Sequence, residues 1–154
     1  MRSAGVADLV IDTNVVIDWY VPGRKEDQAY ALAVLRDMIQ NPRDRIIVPP
    51  HWDTEVGAVL LRAMRAGRIG EAELDAAMDD LANLPVNVLH LLPNFRAVVE
   101  AGRHFGCSGY DAAFAAIGYG MQCPVATADR GLRAACQRHG IEVFSPPGWT
   151  NGLH

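Results

Sequence analysis

Four acidic residues of this 154-residue chain stand where carboxylates could do chemistry: Asp12, Glu55, Asp111 and Asp129. Asp12 directly follows the apolar run Leu9-Val10-Ile11, and Asp129 follows Val125-Ala126-Thr127 by one residue. Both have short polar neighbours, in Asp12-Thr13-Asn14 and Thr127-Ala128-Asp129. Glu55 and Asp111 differ in kind, because each interrupts an apolar helical surface. Glu55 lies one turn before Val59, and Asp111 lies in Tyr-Asp-Ala-Ala-Phe-Ala-Ala-Ile-Gly. A lone carboxylate beside such a surface is costly to desolvate unless something positive compensates it.

Taken singly, each acid has a plainer reading. An Asp after a strand commonly caps the next helix, and an acid in a first helical turn suits the helix dipole. Asp75, Asp79 and Asp80 recur at helical spacing in a charged stretch and read as a solvated face. The four acids as a set are another matter. Converging carboxylates repel, and some must protonate unless a cation neutralises them. Mg²⁺ or Mn²⁺ takes oxygen ligands, keeps several waters and is often shared with substrate phosphates. Such a site can activate water against a phosphodiester and stabilise the leaving oxygen. Sequence spacing does not itself bring the acids together; the fold has to.

Short apolar runs alternating with helical patterns supply that fold. The runs read as strands at 9–11, 46–48, 86–89, 125–127 and 141–144, with the patterns between them reading as helices over 15–20, 25–40, 52–66, 71–84, 94–105, 110–121 and 130–139. Strands separated by helices imply a parallel sheet covered on both faces. The expectation is α/β: one three-layer α/β/α domain spanning 1–154, with its core at about 8–144 and an irregular tail over 145–154. In open parallel sheets the site lies at the carboxyl ends of the strands, where Asp12 and Asp129 fall.

Composition narrows the choices. Half of the residues are hydrophobic, enough for a core without staples, and no apolar run approaches the ~20 residues needed to span a bilayer. The N-terminal MRSAGVADLVID lacks a secretory pattern, so a cytoplasmic protein is expected. Cys107, Cys123 and Cys136 are odd in number, far apart and near no His at ligand spacing, which points to small buried or half-buried thiols. A net charge of −4 argues against a protein that holds nucleic acid by a broad basic face. It does not argue against one that cuts nucleic acid. Lys25 is the only lysine among 14 basic residues, and arginine can grip phosphate locally through its planar fork. Arg130 and Arg133, just after Asp129, are the local choices, although Arg133 reads equally well as a solvated helix residue.

The segments VIDTNVVIDW, HWDTEVGAVLLRA, GYDAAFAAIGYGMQCPVATADRGL and IEVF, in that order and spacing, resemble the PIN-domain ribonucleases. Within that family the resemblance is closest to the VapC toxins of bacterial toxin–antitoxin pairs, and it runs from about Asp8 to Phe144. It implies a five-stranded parallel PIN-like sheet between helices. It aligns Asp12, Glu55, Asp111 and Asp129 with the family's four metal-binding acids, Asn14 with the polar residue of the first motif, and Thr127 with the supporting hydroxyl. The implied activity is Mg²⁺- or Mn²⁺-dependent endonucleolytic cleavage of RNA, often tRNA or rRNA. The implied partners are a second copy of the chain and a VapB-like antitoxin whose C-terminal segment covers the site. One departure is the leading MRSAGVA, several residues longer than many members carry.

Two other readings compete. A haloacid-dehalogenase-type phosphatase also places an Asp after its first strand. It normally uses a second Asp two residues on and a later Lys, whereas position 14 is Asn and Lys25 sits in an early helix. A PIN-like scaffold that binds RNA or a partner without cutting would be expected to lose one or more of the acids, and all four are present. The chain also lacks GxxxxGK[ST], a GxGxxG after its first strand, and GxSxG.

Overall fold

Three-residue strands, apolar on both faces, form the centre of the molecule. The computed structural model describes residues 8–150; the leading MRSAGVA and residues 151–154 lie outside the described residues. Strands β1 (Leu9–Ile11) and β2 (Ile46–Val48) are buried along their whole length, as strands covered on both faces must be. β1 pairs in parallel with β2 on one side and with β4 (Val125–Ala126) on the other, while β3 (Val86–Val88) pairs with β2. The spatial order is therefore β3-β2-β1-β4.

A four-stranded sheet replaces the five strands expected. The run at 141–144 makes a single parallel bridge, Val125 to Val143, instead of a strand. The ladder cannot run on toward Thr127, because Pro146 has no N–H to donate and the Phe144 carbonyl accepts from the Tyr30 hydroxyl. Val125 donates to the Glu142 carbonyl at 2.9 Å and accepts from the Phe144 N–H at 2.8 Å, and the pairing stops there.

Seven helices, α1 (Thr13–Asp18), α2 (Lys25–Gln40), α3 (Trp52–Arg65), α4 (Glu71–Ala82), α5 (Phe95–Phe105), α6 (Gly109–Met121) and α7 (Arg130–Arg138), flank the sheet among the described residues. Their order is the expected one. The first differs most in its bounds, starting at Thr13 directly after the strand instead of at Val15. Helix α6 packs on β1, β2 and β4. Gly118 permits this approach: a Cβ there would come within 2.6 Å of Val125 Cγ2 and 3.0 Å of Ile141 Cγ2. The spacing of α6 from β4 thus depends on a missing side chain, and with it the placement of Asp111, about two turns away along α6.

Residues 145–150 form no helix or strand, as expected. They are nonetheless pinned. The Tyr30 hydroxyl donates to the Phe144 carbonyl at 2.6 Å, and Trp149 meets the Tyr30 ring edge-on at 5.8 Å. No helix among the described residues is long and apolar enough to cross a membrane.

The chain runs from β1 to β2 to β3 on one side and then crosses to β4 on the other. The sheet's direction of growth reverses between β1 and β4, and a crevice opens there at the carboxyl ends. Asp12 and Thr127 leave their strands at that point.

Candidate functional site

Asp12 stands at the N-cap position of α1 yet makes no capping hydrogen bond. Its carboxylate turns instead toward β4. Asp12 Oδ2 accepts from the Thr127 hydroxyl at 2.6 Å and from Asn14 Nδ2 at 3.1 Å. The Thr127 Oγ in turn accepts from the Asp129 N–H at 3.0 Å, and Asn14 Oδ1 accepts from the Ala128 N–H at 3.4 Å. Five residues from opposite ends of the sequence are thereby locked across the crevice. Asp129 keeps the helix-cap role that its position suggests, since its Oδ2 accepts from the Leu132 N–H at 2.8 Å.

Glu55 and Asp111 come from two helices. The Thr13 hydroxyl donates to Glu55 Oε2 at 2.7 Å, linking the first turn of α3 to the start of α1. Asp111 sits in the first turn of α6, whose N-cap Ser108 accepts from the Asp111 N–H at 3.1 Å. Asp12, Asn14, Glu55, Asp111 and Asp129 line one cleft of about 530 Å³. Thr127 is fully buried beneath it.

The electrostatics of the cleft are those of crowded, under-compensated acids. Burial pushes the Asp12 carboxyl up to about 7; the Thr127 hydroxyl opposes this, while Asp111 and Asp129 add to it. Burial and then Asp129 push Asp111 up to about 6. Among the described residues no lysine or arginine forms an ion pair with any of the four acids. His51 Nε2 lies 3.9 Å from Glu55 Oε2, but burial lowers the pKa of this imidazole against the opposing pull of Glu55, so it supplies little positive charge. Also among the described residues, no three His, Cys, Asp or Glu side chains are close enough to hold a cation as they stand. The acids share a cleft without forming a closed cage, and Glu55 is engaged by Thr13. The donor set still fits a hard divalent cation, because its oxygens are all carboxylate and its charges are otherwise unpaired.

The other predicted residues separate. Arg130 is exposed and lines a neighbouring groove with Asn14, Arg24 and Asp129. Arg133 is half-buried, with its guanidinium 5.9 Å from the Tyr30 ring centroid and clear of the cleft. Lys25 is exposed and does not line the cleft, so the lysine that a dehalogenase-type site needs is missing from it. Cys123 and Cys136 are buried and Cys107 half-buried, none of the three in a disulfide, and Asp75, Asp79 and Asp80 are exposed.

Sequence reasoning passed over Asp18, His51, Arg62 and Tyr110, which also line the cleft. Asp18 carried a usable signal: it lies four residues after Asn14, on the same face of α1. Burial, and then Asp27, push its carboxyl up to about 6 against the opposing pull of Arg68. Thr13 was readable only as a helix starter, and its bond to Glu55 depends on how α1 and α3 pack.

Comparison with known proteins agrees with this geometry. Over 128 residues the chain is 29% identical to ribonuclease VapC1 of Mycobacterium tuberculosis, in each of two strains, across 83% of this chain and 90% of that protein. The fold resembles the crystal structure of PAE2754 from Pyrobaculum aerophilum with a TM-score of 0.60, at 21% identity over 84% of this chain and 86% of the other. At that identity the second likeness speaks of fold alone. The PIN domain pattern matches residues 9–144, from the first residue of β1 through α7 to Phe144, and the chain belongs to the PIN-domain family.

Proposed function

We propose that this protein is an endoribonuclease dependent on Mg²⁺ or Mn²⁺, acting in the cytoplasm as the toxin of a type II toxin–antitoxin pair. The observation that carries the proposal is the gathering of Asp12, Glu55, Asp111 and Asp129 in one cleft with no lysine or arginine ion pair among the described residues. The 29% identity to a ribonuclease over most of both chains supports the same reading. Its partners in this reading are an RNA substrate such as tRNA or rRNA, a VapB-like antitoxin and a second copy of the chain.

Bound among the four acids, a divalent cation supplies water activation and charge neutralisation at a phosphodiester. The chain's own residues do the rest. Thr127 and Asn14 hold the Asp12 carboxylate in one orientation through two bonds to the same oxygen. Asp129 is fixed by its cap bond to Leu132 and its backbone bond to Thr127. Glu55 rests on the Thr13 hydroxyl and can turn toward the cleft on giving up that bond. Arg130, beside Asp129, contacts a phosphate of the bound strand.

Such an enzyme does not need the ribose 2′-hydroxyl as nucleophile. Its RNA products therefore carry no 2′,3′-cyclic phosphate, and end-group analysis of the products tests this. Cyclic-phosphate ends would replace the proposal with chemistry in which the RNA attacks itself. A non-cutting PIN-like scaffold is the second reading, favoured by the lack of a closed cage among the acids. It requires RNA binding without metal-dependent cleavage.

A further inference from the structure

We propose that the acid cleft is the middle of a continuous track for single-stranded RNA, ending in a nucleobase subsite built on His51 and Tyr110. This rests on the ribonuclease reading above and goes beyond it in saying where, and by what chemistry, a base next to the cut is held.

Three cavities lie side by side and share wall residues. The groove holding Arg24 and Arg130 shares Asn14 and Asp129 with the acid cleft. The acid cleft shares His51 and Tyr110 with a second cavity of about 440 Å³. That second cavity is mainly apolar, walled by Pro50, Leu91, Val98 and Ile117 among others. Its entrance is aromatic. Tyr110 is 63% exposed despite its size. Its ring meets the His51 ring at 5.0 Å, and His51 meets Phe114 at 5.5 Å, all edge-to-face. Tyr110 is thereby braced from within while the rest of its ring stays open. His51 Nε2 is buried without a hydrogen-bond partner, leaving a polar atom at the mouth of an apolar pocket.

A flat, apolar-faced ligand with polar edges suits such a mouth, and a nucleobase has that form. Stacking on aromatic side chains is how single strands are held without a broad basic face. The other end of the track decides between RNA and a protein segment. Arg24 and Arg130 are both exposed in that groove, where Asp27 and Asp129 offset their charge, so they offer local guanidinium forks for a phosphate and not a net positive patch. One ligand that brings anions to the arginine groove and the acid centre, and a planar apolar face to Tyr110, is a polynucleotide.

The test begins from a short RNA that the wild-type protein cuts in Mg²⁺. The same RNA, carrying 5-iodouridine at each position in turn, is photo-crosslinked to the Asp12→Asn protein, and the crosslinked peptides are mapped. Expected are crosslinks to Tyr110 or His51 from one position at a fixed offset from the cut. Tyr110→Ala should bind the RNA about tenfold more weakly and lose base preference at that offset, as removal of a stacking ring does, while Tyr110→Phe keeps both. Metal-dependent cutting combined with crosslinks elsewhere, and an unaltered preference in Tyr110→Ala, would overturn the subsite and leave the ribonuclease standing. Unchanged RNA affinity in Tyr110→Ala together with weakened capture of a co-expressed antitoxin would assign the pocket to a protein segment and also overturn it. A wild-type protein that cuts no RNA overturns both readings.

Discussion

Thr127 Oγ lies 2.6 Å from Asp12 Oδ2, and the bond spans 115 residues of sequence. It ties the end of β1 to the end of β4 at the point where the sheet reverses its growth. The same oxygen accepts from the Asp129 N–H, so one hydroxyl sets the positions of two acids. Both Thr127 and Asp12 are buried, with Thr127 fully so, and no water-exposed group can substitute for the bond.

Replacing Thr127 by Val keeps the shape and removes the hydroxyl. The Asp12 carboxylate loses a donor and the Asp129 N–H loses its acceptor, at a cost of about 1–3 kcal/mol for buried groups left unsatisfied. Thermal melts should show Thr127→Val destabilised and Thr127→Ser close to wild type. RNA cleavage should fall in the same order, because Asp12 is no longer held.

Metal-free stability should depend on pH through Asp12. Its native pKa, about 7, lies above the ordinary 3.8, so the native state keeps a proton that the unfolded chain releases. This contribution is fully present below about pH 4 and is lost as pH rises through about 7. Without metal, Asp12→Asn should therefore be more stable than wild type at pH 8, by on the order of a few kcal/mol, and should lose that advantage near pH 4. Urea titrations of both proteins in EDTA check the difference; a difference independent of pH would contradict it.

Metal affinity should rise with pH over the same window. Asp12 at about 7 and Asp111 at about 6 must lose their protons before they can ligate. Between pH 5.5 and 7.5, Mn²⁺ affinity measured calorimetrically should climb steeply. The heat should vary with the buffer's ionisation enthalpy, reporting proton release.

The two arginines after Asp129 should separate cleanly. Arg130→Ala should weaken RNA binding and reduce the salt slope by about 0.7, the loss of one phosphate contact to a single strand. Arg133→Ala should leave RNA affinity unchanged and cost roughly 0.5–1 kcal/mol of stability, because its guanidinium lies over Tyr30. Filter binding at several salt concentrations, with parallel melts, distinguishes them.

The centre of the sheet was legible in the sequence because β1 and β2 are buried on both faces and appear as unbroken apolar runs, Leu9-Val10-Ile11 and Ile46-Ile47-Val48, whereas the edge strand β3 is Val-Asn-Val and largely exposed. Asp12, Thr127 and Asp129 were legible because strand ends fix where such residues emerge. Asp111 stood out against the small, apolar face of α6, which Gly118 brings close to β4. The fifth strand was misread because 141–144 has strand character, but Pro146 just after it has no N–H for a second step of the ladder with β4. Thr13, His51 and Tyr110 escaped notice because their roles arise from packing between elements, whereas the spacing of Asp18 from Asn14 could have found it. Nothing in the local sequence says that Thr13 faces Glu55, or that His51 is sandwiched between Tyr110 and Phe114. Arg133 read as a phosphate contact or a solvated helix residue, and it is neither: its guanidinium is partly buried over the ring of Tyr30, more than a hundred residues earlier.

The most direct test of the four-acid centre is cleavage of a mixed cellular RNA pool by the purified, antitoxin-free protein. It is run in Mg²⁺, in Mn²⁺ and in EDTA, beside Asp12→Asn. Discrete cuts with either metal, abolished by EDTA and in the variant, are the expected result. Cutting that survives both EDTA and Asp12→Asn, or a folded wild-type protein that cuts no RNA with either metal, would contradict it.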